Sequence, residues 1–206
     1  MTVSIAICAH VARTRQALAL AVQMRAPVAM DDGTWGSNAN HDRAFQYAYD
    51  ANPDSDWCLL VEDDAIPVTP GRITDCLANC PTDAASLYLG TSYPRWEQPR
   101  VTRGMRYDWI IADIFLHGVA MAVRTHRVPT MLTDAQAITA DADRRYGLAL
   151  QLQGVKVSHT TRSLFDHRDE HTLIHHDDGK GRTLPRVARM RADNTTVWRS
   201  DSRVGI

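Results

Sequence analysis

An apolar run at residues 57–61 stops abruptly at three consecutive acidic residues, Glu62, Asp63 and Asp64. A continuous apolar run of this length, bounded by polar residues and by Pro67, predicts a strand that is covered on both faces, as in the interior of an α/β sheet. Ligands bind beyond the carboxyl ends of such strands. The acidic triplet is therefore predicted to lie at a ligand-binding edge of a sheet.

The triplet also has an electrostatic consequence. Three adjacent carboxylates repel one another, and each raises the pKa of its neighbours unless a cation neutralises them. A hard divalent metal that prefers oxygen ligands would supply such a cation. The alternative is a solvated acidic turn that merely ends a strand.

The N-terminal third of the chain alternates between predicted strands and helices. Strands are predicted at 3–9 and 27–30, ahead of the acidic strand, and helices at 15–24 and 41–50. Strands that alternate with helices are typical of βαβ units. The sequence therefore predicts an α/β fold, a Rossmann-like domain with a mainly parallel central sheet flanked by helices.

The rest of the chain continues this pattern around one long loop. Further elements are predicted as a helix at 70–80, a strand at 84–89, apolar segments at 110–123, a helix at 143–152 and a strand at 155–158. Residues 90–108 lack periodicity and are predicted to form a loop, and loops of this length are usually functional or mobile. The length of 206 residues fits one domain at 1–180 followed by an Arg-rich tail at 181–206.

Composition narrows the class of protein. The net charge of −1 gives no global field that favours nucleic acid or a membrane, and no apolar stretch is long enough to span a bilayer. The first residues lack a basic segment before their apolar run, which indicates a strand and not a signal peptide. The cysteines form no metal-type Cys-x-x-Cys pair, which favours a reduced, cytoplasmic protein. They are Cys8, Cys58, Cys76 and Cys80.

Asp31 and Asp32 end the second predicted strand. In a parallel sheet they would share an edge with the acidic triplet, and a carboxylate there can accept hydrogen bonds from a nucleotide base or ribose. The alternative is that the pair only forms an Asp-Gly turn with Gly33.

Asp141 and Asp143 lie where the helix predicted at 143–152 begins. A carboxylate held at a helix start can act as a general base that takes a proton from an attacking hydroxyl. The alternative is an ordinary cap or a partner of the helix dipole.

His167 directly follows an apolar, strand-like stretch that should fix its position. Neutral histidine is a common metal ligand, so His167 could complete a coordination shell that the acids begin. His171, His175 and His176 follow closely, and exposed histidines of this kind are usually not ligands.

The order of these motifs resembles the nucleotide-sugar-binding half of GT-A-type glycosyltransferases, in which an acidic motif written Asp-x-Asp (DXD) holds the metal. The segment Ser163-Leu164-Phe165-Asp166-His167 is similar to the ending Pro-Ser-Leu-Val-Asp-His of small phage and bacterial glycosyltransferases related to lipopolysaccharide-modifying enzymes. Arg162 stands where that pattern has Pro, and Phe165 where it has Val. The resemblance covers about residues 3–170.

The resemblance implies a GT-A-like domain that transfers a sugar from a nucleotide-sugar donor to an acceptor hydroxyl, with Mn²⁺ or Mg²⁺ as cofactor. It implies that Asp64 and His167 hold the metal. It also implies that Asp143, with Asp141 as its rival, is the catalytic base of an inverting hexosyl or pentosyl transfer. The residues that it assigns to the nucleotide sugar are Ala9, Arg13, Arg15, Asp31, Asp32, Asn40, Glu62 and Asp63. A retaining enzyme of this fold would also carry acids near Asp143, so the sequence alone does not set the stereochemistry.

The acceptor is less constrained. Tyr93, Arg95, Trp96 and Arg103 interleave aromatic and basic side chains in the loop at 90–108, which could stack on bases or sugars and bind phosphates. Modified DNA, a protein and a glycan stay open as acceptors, and the oligomeric state is not predicted. Two other functions also stay open: a metal-dependent phosphoesterase or nuclease, and a non-catalytic module that binds sugar or nucleic acid.

Overall fold

In a computed structural model, described for residues 1–91, 95–168 and 186–206, the chain forms an α/β fold built on an eight-stranded sheet. The strands are β1 (Val3–His10), β2 (Val28–Asp31), β3 (Trp57–Glu62), β4 (Ala65–Pro67), β5 (Ala84–Ser86), β6 (Trp109–Ala112), β7 (Ala120–Arg124), β8 (Val157–Thr160), β9 (Phe165–His167) and β10 (Arg203–Gly205). The helices are α1 (Thr14–Met24), α2 (Ser37–Ala51), α3 (Ile73–Ala78), α4 (Gln98–Gly104), α5 (Val128–Ala135) and α6 (Ala142–Leu152).

The large sheet has the strand order β10-β6-β8-β5-β7-β3-β1-β2, and β4 pairs with β9 in a separate two-stranded sheet. In the large sheet β1 is parallel to β2 and β3, β5 to β8, and β10 to β6, whereas β7 runs antiparallel to β3 and β5, and β6 antiparallel to β8. Parallel pairs therefore outnumber antiparallel ones by four to three. The predicted α/β class with a mainly parallel central sheet is confirmed.

Helices cover both faces of the sheet, as the continuous run of apolar residues in β3 predicts. One face packs against α1 and α3 through Leu20 and Leu77. The other packs against α2, α5 and α6 through Phe45, Met131 and Tyr146, and the rings of Phe45 and Tyr146 meet edge to face with centroids 5.1 Å apart. Burial on both faces excludes water from the strands and leaves their ends as the accessible polar part of the sheet.

The carboxyl ends of the parallel strands lie together at one edge. β1 ends at His10, β2 at Asp31 and β3 at Glu62, and the register pairs His10 with Asp31 and Cys8 with Glu62. β8 ends at the same edge because it runs parallel to β5, which is antiparallel to β7. The chain then enters β9, whose register places His167 opposite Ala65. The fold thus returns a distant segment to the acids that follow β3.

Some elements differ from their predicted bounds. α2 begins at Ser37 and not at His41, because the Asn40 side chain donates hydrogen bonds to the carbonyl oxygens of Ala9 and Ala29, at 2.9 and 3.0 Å, and draws this turn against the strands. The segment predicted as a loop at 90–108 contains α4, with Pro99 in its first turn. A proline there costs no intrahelical hydrogen bond, so it permits the short helix.

Residues 186–206, the described part of the Arg-rich tail predicted at 181–206, pack onto the domain. β10 pairs with β6, and the buried Trp198 indole donates from Nε1 to Thr160 Oγ1 at 2.9 Å. The predicted boundary between residues 180 and 181 lies outside the described residues. Within the described ranges, no helix is long and apolar enough to cross a membrane.

His159 makes the stability of this fold depend on pH. Its ring is fully buried in β8 with Nε2 3.1 Å from the Ile114 carbonyl oxygen, and burial lowers its pKa from 6.5 to about 4. Because the unfolded chain binds this proton more readily, the free energy of unfolding should fall as the pH drops from about 6.5 to about 4, by about 3 kcal/mol for this group. Urea unfolding at about pH 7 and about pH 4.5 measures the loss. It should be smaller in His159→Gln than in the wild type, and an equal loss in both would contradict the assignment.

Candidate active site

Of the three acids at the end of β3, Asp63 and Asp64 are buried and share one cation, while Glu62 is half-buried and has a different partner. The Asp63 carboxylate accepts a hydrogen bond from His10 N at 2.9 Å and another from Arg13 Nη1 at 3.0 Å. The same guanidinium nitrogen donates to Asp64 Oδ2 at 2.7 Å. Arg13 occupies a short 3₁₀ turn (Val11–Arg13) between β1 and α1, so the first crossover supplies the cation that neutralises this part of the cluster.

Glu62 is paired with a buried histidine on α2. His41 Nε2 lies 3.1 Å from Glu62 Oε1, and His41 Nδ1 lies 2.7 Å from the Ser37 carbonyl oxygen. Both ring nitrogens face acceptors, which is the geometry of an imidazolium. Burial opposes the charge on His41, but Cys8 and Glu62 raise its pKa well above the ordinary value. Burial likewise raises the pKa of Glu62, and the hydrogen bond and charge of His41 outweigh it and bring that pKa below its usual value. The two side chains form a buried ion pair.

Gly118, which lies between β6 and β7, leaves room for the Glu62 carboxylate. A Cβ at this position would lie 2.8 Å from Glu62 Oε1, closer than van der Waals contact permits. Glu62 N also donates to the Val119 carbonyl oxygen at 3.0 Å, so the backbone here is fixed against β3. Any side chain at position 118 would displace the carboxylate that His41 holds.

Of the three acids, Asp64 has the negative charge that neighbouring cations and hydrogen-bond donors offset least. Burial and the Glu62 charge raise its pKa to about 7, although Arg13 and Arg186 act in the opposite direction. Its Oδ1 atom is buried without a hydrogen-bond partner among the described residues, and so is His167 Nδ1. His167 Nε2 lies 3.4 Å from Asp64 Oδ2. Buried polar atoms without hydrogen-bond partners cost free energy, so Asp64 and His167 form a candidate ligand-binding site.

These donor atoms determine what kind of divalent metal site the side chains could form. Asp64 Oδ1 and the His167 ring are the open donors, and among the described residues no group of three or more His, Cys, Asp or Glu side chains is arranged to hold a metal. The side chains are thus too few for an all-protein site. They suit an ion that takes its remaining ligands from substrate phosphates and water, as Mg²⁺ commonly does with one or two carboxylates. The donor set fits a metal that binds together with a phosphorylated ligand.

Asp143 belongs to the same electrostatic system. It lies half-buried in the first turn of α6, where its Oδ1 accepts a hydrogen bond from Arg144 N at 2.6 Å. Burial is the main cause that raises its pKa to about 6, and the Glu62 charge adds to it. A carboxylate with a pKa near neutrality can accept a proton at physiological pH. Asp141, its predicted rival, is exposed at the N-cap and makes no side-chain capping bond.

Contacts between α2 and α6 fix the position of Asp143 relative to the acids. Tyr146 OH donates to Asp42 Oδ1 at 2.6 Å, and Arg145 pairs with the same carboxylate. Asn38 Nδ2 donates to the Ala140 carbonyl oxygen at 2.9 Å. Because α2 also carries His41, one helix braces both the acid cluster and the candidate base.

The residues predicted to hold the nucleoside mostly hold the backbone of this edge. Asp31 Oδ1 accepts from Gly33 N at 2.8 Å and Trp35 N at 3.1 Å, and Asp32 Oδ1 accepts from Thr34 N at 3.0 Å. Burial opposes the charge of Asp31, but these amides bring its pKa below the ordinary value. Their contact with a nucleotide stays a prediction.

The other predicted donor-site residues divide in the same way. Asn40 is buried and joined to Ala9 by the hydrogen bond that ties α2 to β1, while Arg15 is exposed on α1. Of the predicted acceptor residues, Arg95, Trp96 and Arg103 are exposed in and before α4, and Tyr93 lies outside the described residues. Binding of donor or acceptor by these side chains is likewise still a prediction.

Several residues of this edge are not indicated by any motif in the sequence. Tyr88 follows β5 and is buried, and its ring meets the ring of His117 edge to face with centroids 5.0 Å apart. His117 Nε2 accepts a hydrogen bond from Gly90 N at 3.0 Å, which leaves the ring proton on Nδ1 in the neutral form. In the sequence, His117 stands out only as part of a His-Gly pair between two apolar segments. His41 lies within a predicted helix, and nothing in that pattern distinguishes it from an ordinary helical residue.

Comparisons with solved structures give distant likenesses to this chain, among them two proteins of known structure. No protein-family model and no curated protein sequence matches this chain. The catalytic domain of Drosophila β1,4-galactosyltransferase 7, solved in complex with xylobiose, is similar with a TM-score of 0.45 and 14% identity, covering 94% of this chain and 77% of that one. A197 from STIV is similar with a TM-score of 0.44 and 8% identity, covering 82% and 87%. At these values neither likeness decides the chemistry of this chain.

Gly118→Ala tests the packing around Glu62. The new Cβ should push the Glu62 carboxylate away from His41, lower the raised pKa of His41 and destabilise the fold by about 1–2 kcal/mol. An NMR titration of His41 and a thermal melt measure the two effects. Gly71→Ala is the matched control, because a Cβ there would meet nothing within 4 Å. The same His41 pKa in both variants would show that Gly118 does not set the position of Glu62.

Proposed function

We propose that this protein is a metal-dependent glycosyltransferase that moves a sugar from a nucleotide-sugar donor to an acceptor hydroxyl. The observation that carries the proposal is the juxtaposition of two different carboxyl sites at one sheet edge. Asp64 has a buried, unpartnered oxygen beside His167, and Asp143 forms a separate, half-buried site with a pKa of about 6. Glycosyl transfer needs both a cation site for the leaving diphosphate and a base for the incoming hydroxyl.

Asp64 and His167 are the residues that would hold the metal. When bound, the ion supplies Lewis-acid stabilisation of the negative charge that develops on the departing diphosphate. Arg13 neutralises Asp63, and the His41 cation neutralises Glu62, so the negative charge of the cluster is not all directed at the substrate. This compensation favours binding of an anionic donor at an otherwise acidic edge.

Asp143 is the proposed base. As the bond between the sugar anomeric carbon and the diphosphate oxygen breaks, the acceptor oxygen bonds to that carbon, and its proton passes to Asp143. A direct displacement of this kind inverts the anomeric configuration. The pKa of about 6 leaves most of the carboxyl ionised above neutrality, as a base requires.

Two other functional classes would require different residues or respond differently to mutation. A two-metal phosphoesterase or nuclease needs a larger group of ligands, and no such group lies among the described residues. A non-catalytic binding module would bind nucleotide sugars without turnover and would tolerate loss of Asp143. The proposed transferase should hydrolyse a nucleotide sugar slowly when water takes the place of the acceptor.

The acceptor is proposed by class. Exposed aromatic and basic side chains, Arg95, Trp96 and Arg103, offer a surface for a polyanion or a sugar, so modified DNA, a protein and a glycan all stay within the proposal. A cytoplasmic location fits the four free cysteines, Cys8, Cys58, Cys76 and Cys80.

Asp64→Asn tests the metal site. Wild type should be stabilised by one of the UDP-, GDP- or ADP-sugars only when Mn²⁺ is also present, by about 5 °C or more at saturating ligand. Metal alone should bind weakly, because the open side-chain donors are few. The variant should lose the metal-dependent part of the shift. Asp75→Asn, on an exposed carboxylate paired with Arg72, is the control that should keep it.

Two results would contradict parts of this proposal. If no nucleotide sugar stabilises the wild type with Mn²⁺ or Mg²⁺ and none is hydrolysed, the transferase is wrong. If Asp64→Asn keeps the full metal-dependent shift, the metal lies elsewhere.

Asp143→Asn tests the base. Hydrolysis of the nucleotide sugar should fall by about 10²–10⁴-fold while donor affinity is kept. The wild-type rate should rise with pH around the Asp143 pKa of about 6. Asp141→Asn should keep most of the activity, and the reverse result would make Asp141 the base.

The same variant has a stability signature. Because the folded-state pKa of Asp143 is raised from 3.8 to about 6, ionising it costs stability above that pH, and the cost vanishes below about pH 4. Asp143→Asn should therefore be as stable as the wild type at about pH 8 or more stable, by about 1 kcal/mol after allowance for solvent screening. Urea unfolding at about pH 8 measures this, and a large destabilisation would indicate a purely structural carboxylate.

A further inference from the structure

An open cavity of about 310 Å³ lies at the edge of the sheet that carries the acids, but in the other half of the sheet. Arg162 follows β8 and Asp108 precedes β6, which runs antiparallel to β8, so both residues lie where β8 ends. β8 is three strand positions from β3 in the sheet order, which is about 14 Å at ~4.8 Å per strand. The cavity, called the Arg162 cavity below, is lined by Asp108, Arg162, Thr195, Thr196, Val197 and Arg199.

Hydrogen bonds fix the walls of the Arg162 cavity. Thr160 Oγ1 accepts from the buried Trp198 indole at 2.9 Å and donates to the Arg162 carbonyl oxygen at 3.0 Å. On the opposite wall, Arg72 Nη2 donates to the Thr196 carbonyl oxygen at 2.8 Å. The backbone around the cavity is therefore set before any ligand arrives, and a preorganised site loses less entropy on binding.

Two guanidinium groups line this cavity, and one of them has no counter-charge. Arg199 donates from its backbone N and from Nε to Asp108 Oδ2, each at 3.2 Å, so this buried acid neutralises Arg199. The terminal nitrogens of Arg199 stay open, because they make no hydrogen bond with any described residue. The exposed Arg162 guanidinium likewise pairs with no side chain in the described ranges. Among the lining residues, one positive charge is therefore unmatched.

We propose that the Arg162 cavity binds the phosphate group of a small phosphate monoester, with Arg162 and the terminal nitrogens of Arg199 as donors. A guanidinium presents a planar fork of N–H groups that matches phosphate oxygens. The volume of about 310 Å³ is at the lower end of the ~300–1,000 Å³ that small-molecule sites occupy. The cavity therefore has room for the organic part of an ester as well as for its phosphate.

The charges around the cavity favour one phosphate group over the repeated phosphates of a nucleic acid. Asp193 and Asp201 are exposed in the segment that leads into β10, and they would repel a polyanion that extended beyond the cavity. The site is also separate from the proposed glycosyl transfer. Neither Asp64 nor Asp143 belongs to its lining, and binding there makes or breaks no covalent bond.

Arg162→Ala is the test, with a hexose 6-phosphate as probe beside the free hexose, in calorimetric titrations without metal or nucleotide. The wild type should bind the ester and not the hexose. The variant should bind the ester about 10-fold more weakly or worse, because it loses charged hydrogen bonds to the phosphate. Arg203→Ala is the matched control, since it removes an exposed arginine in β10 that does not line the cavity. It should leave the affinity unchanged.

Two further measurements locate the bound ester. In NMR spectra the ester should shift the backbone amide signals of Val197 and Arg199, which line the cavity, and leave that of His10, which donates to Asp63, in place. Asp64→Asn should bind the ester as tightly as the wild type, since the cavity is separate from the candidate metal site.

Several results would overturn this inference and leave the proposed transferase standing. The site is wrong if the wild type does not bind the ester or if Arg162→Ala binds it equally well. A loss of ester binding in Asp64→Asn would place the phosphate at the acids instead. Inorganic phosphate that binds as tightly as the ester, or a single-stranded oligonucleotide that binds more tightly through Arg162, would exclude a small monoester as the ligand.

Discussion

Compensation of buried negative charge at the end of β3 organises the structure around it. A buried carboxylate is costly unless a cation or several hydrogen-bond donors meet it. Glu62 is met by His41 from α2, and Asp63 by Arg13 from the first crossover. The strand order and the helix positions have to deliver these partners to one edge, and the parallel arrangement of β1, β2 and β3 does so. Of these three acids, Asp64 is the one with a buried oxygen that has no hydrogen-bond partner among the described residues, and chemistry is expected where compensation is incomplete.

Local patterns predicted the parts of the site that depend on local structure. The apolar run before Glu62 identified both the strand and the edge, and the apolar stretch before His167 correctly indicated a fixed strand position. The α/β class followed from the alternation of elements. These predictions succeeded because burial and hydrogen bonding within a few residues determine them.

Long-range pairings were beyond the sequence. Hydropathy does not encode strand direction, so the antiparallel run of β7 and the approach of Gly118 to Glu62 could not be predicted. His41 lies on α2 among residues whose periodicity indicates only a core-facing side, and its pairing with Glu62 depends on how the helix packs. Ala188 N donates a hydrogen bond to Asp166 Oδ1, next to His167 in β9, and this contact across 22 residues of chain is one that no local pattern indicates.

The buried carboxylate of Asp166, which accepts hydrogen bonds from Ala188 N and His167 N and pairs with Arg191, also bears on the order in which the protein folds during synthesis. Its partners, Ala188 N and Arg191, follow it by 22 and 25 residues, so a growing chain exposes Asp166 and His167 before those partners have been synthesised. Domains assemble from the N-terminal side during translation, and the parallel half of the sheet can form in that interval. The edge that carries the acids is therefore among the last parts of this fold to close, before only the pairing of β10 with β6, and a nascent chain stopped short of residue 188 would have its helices and most of its sheet but an incomplete acidic edge.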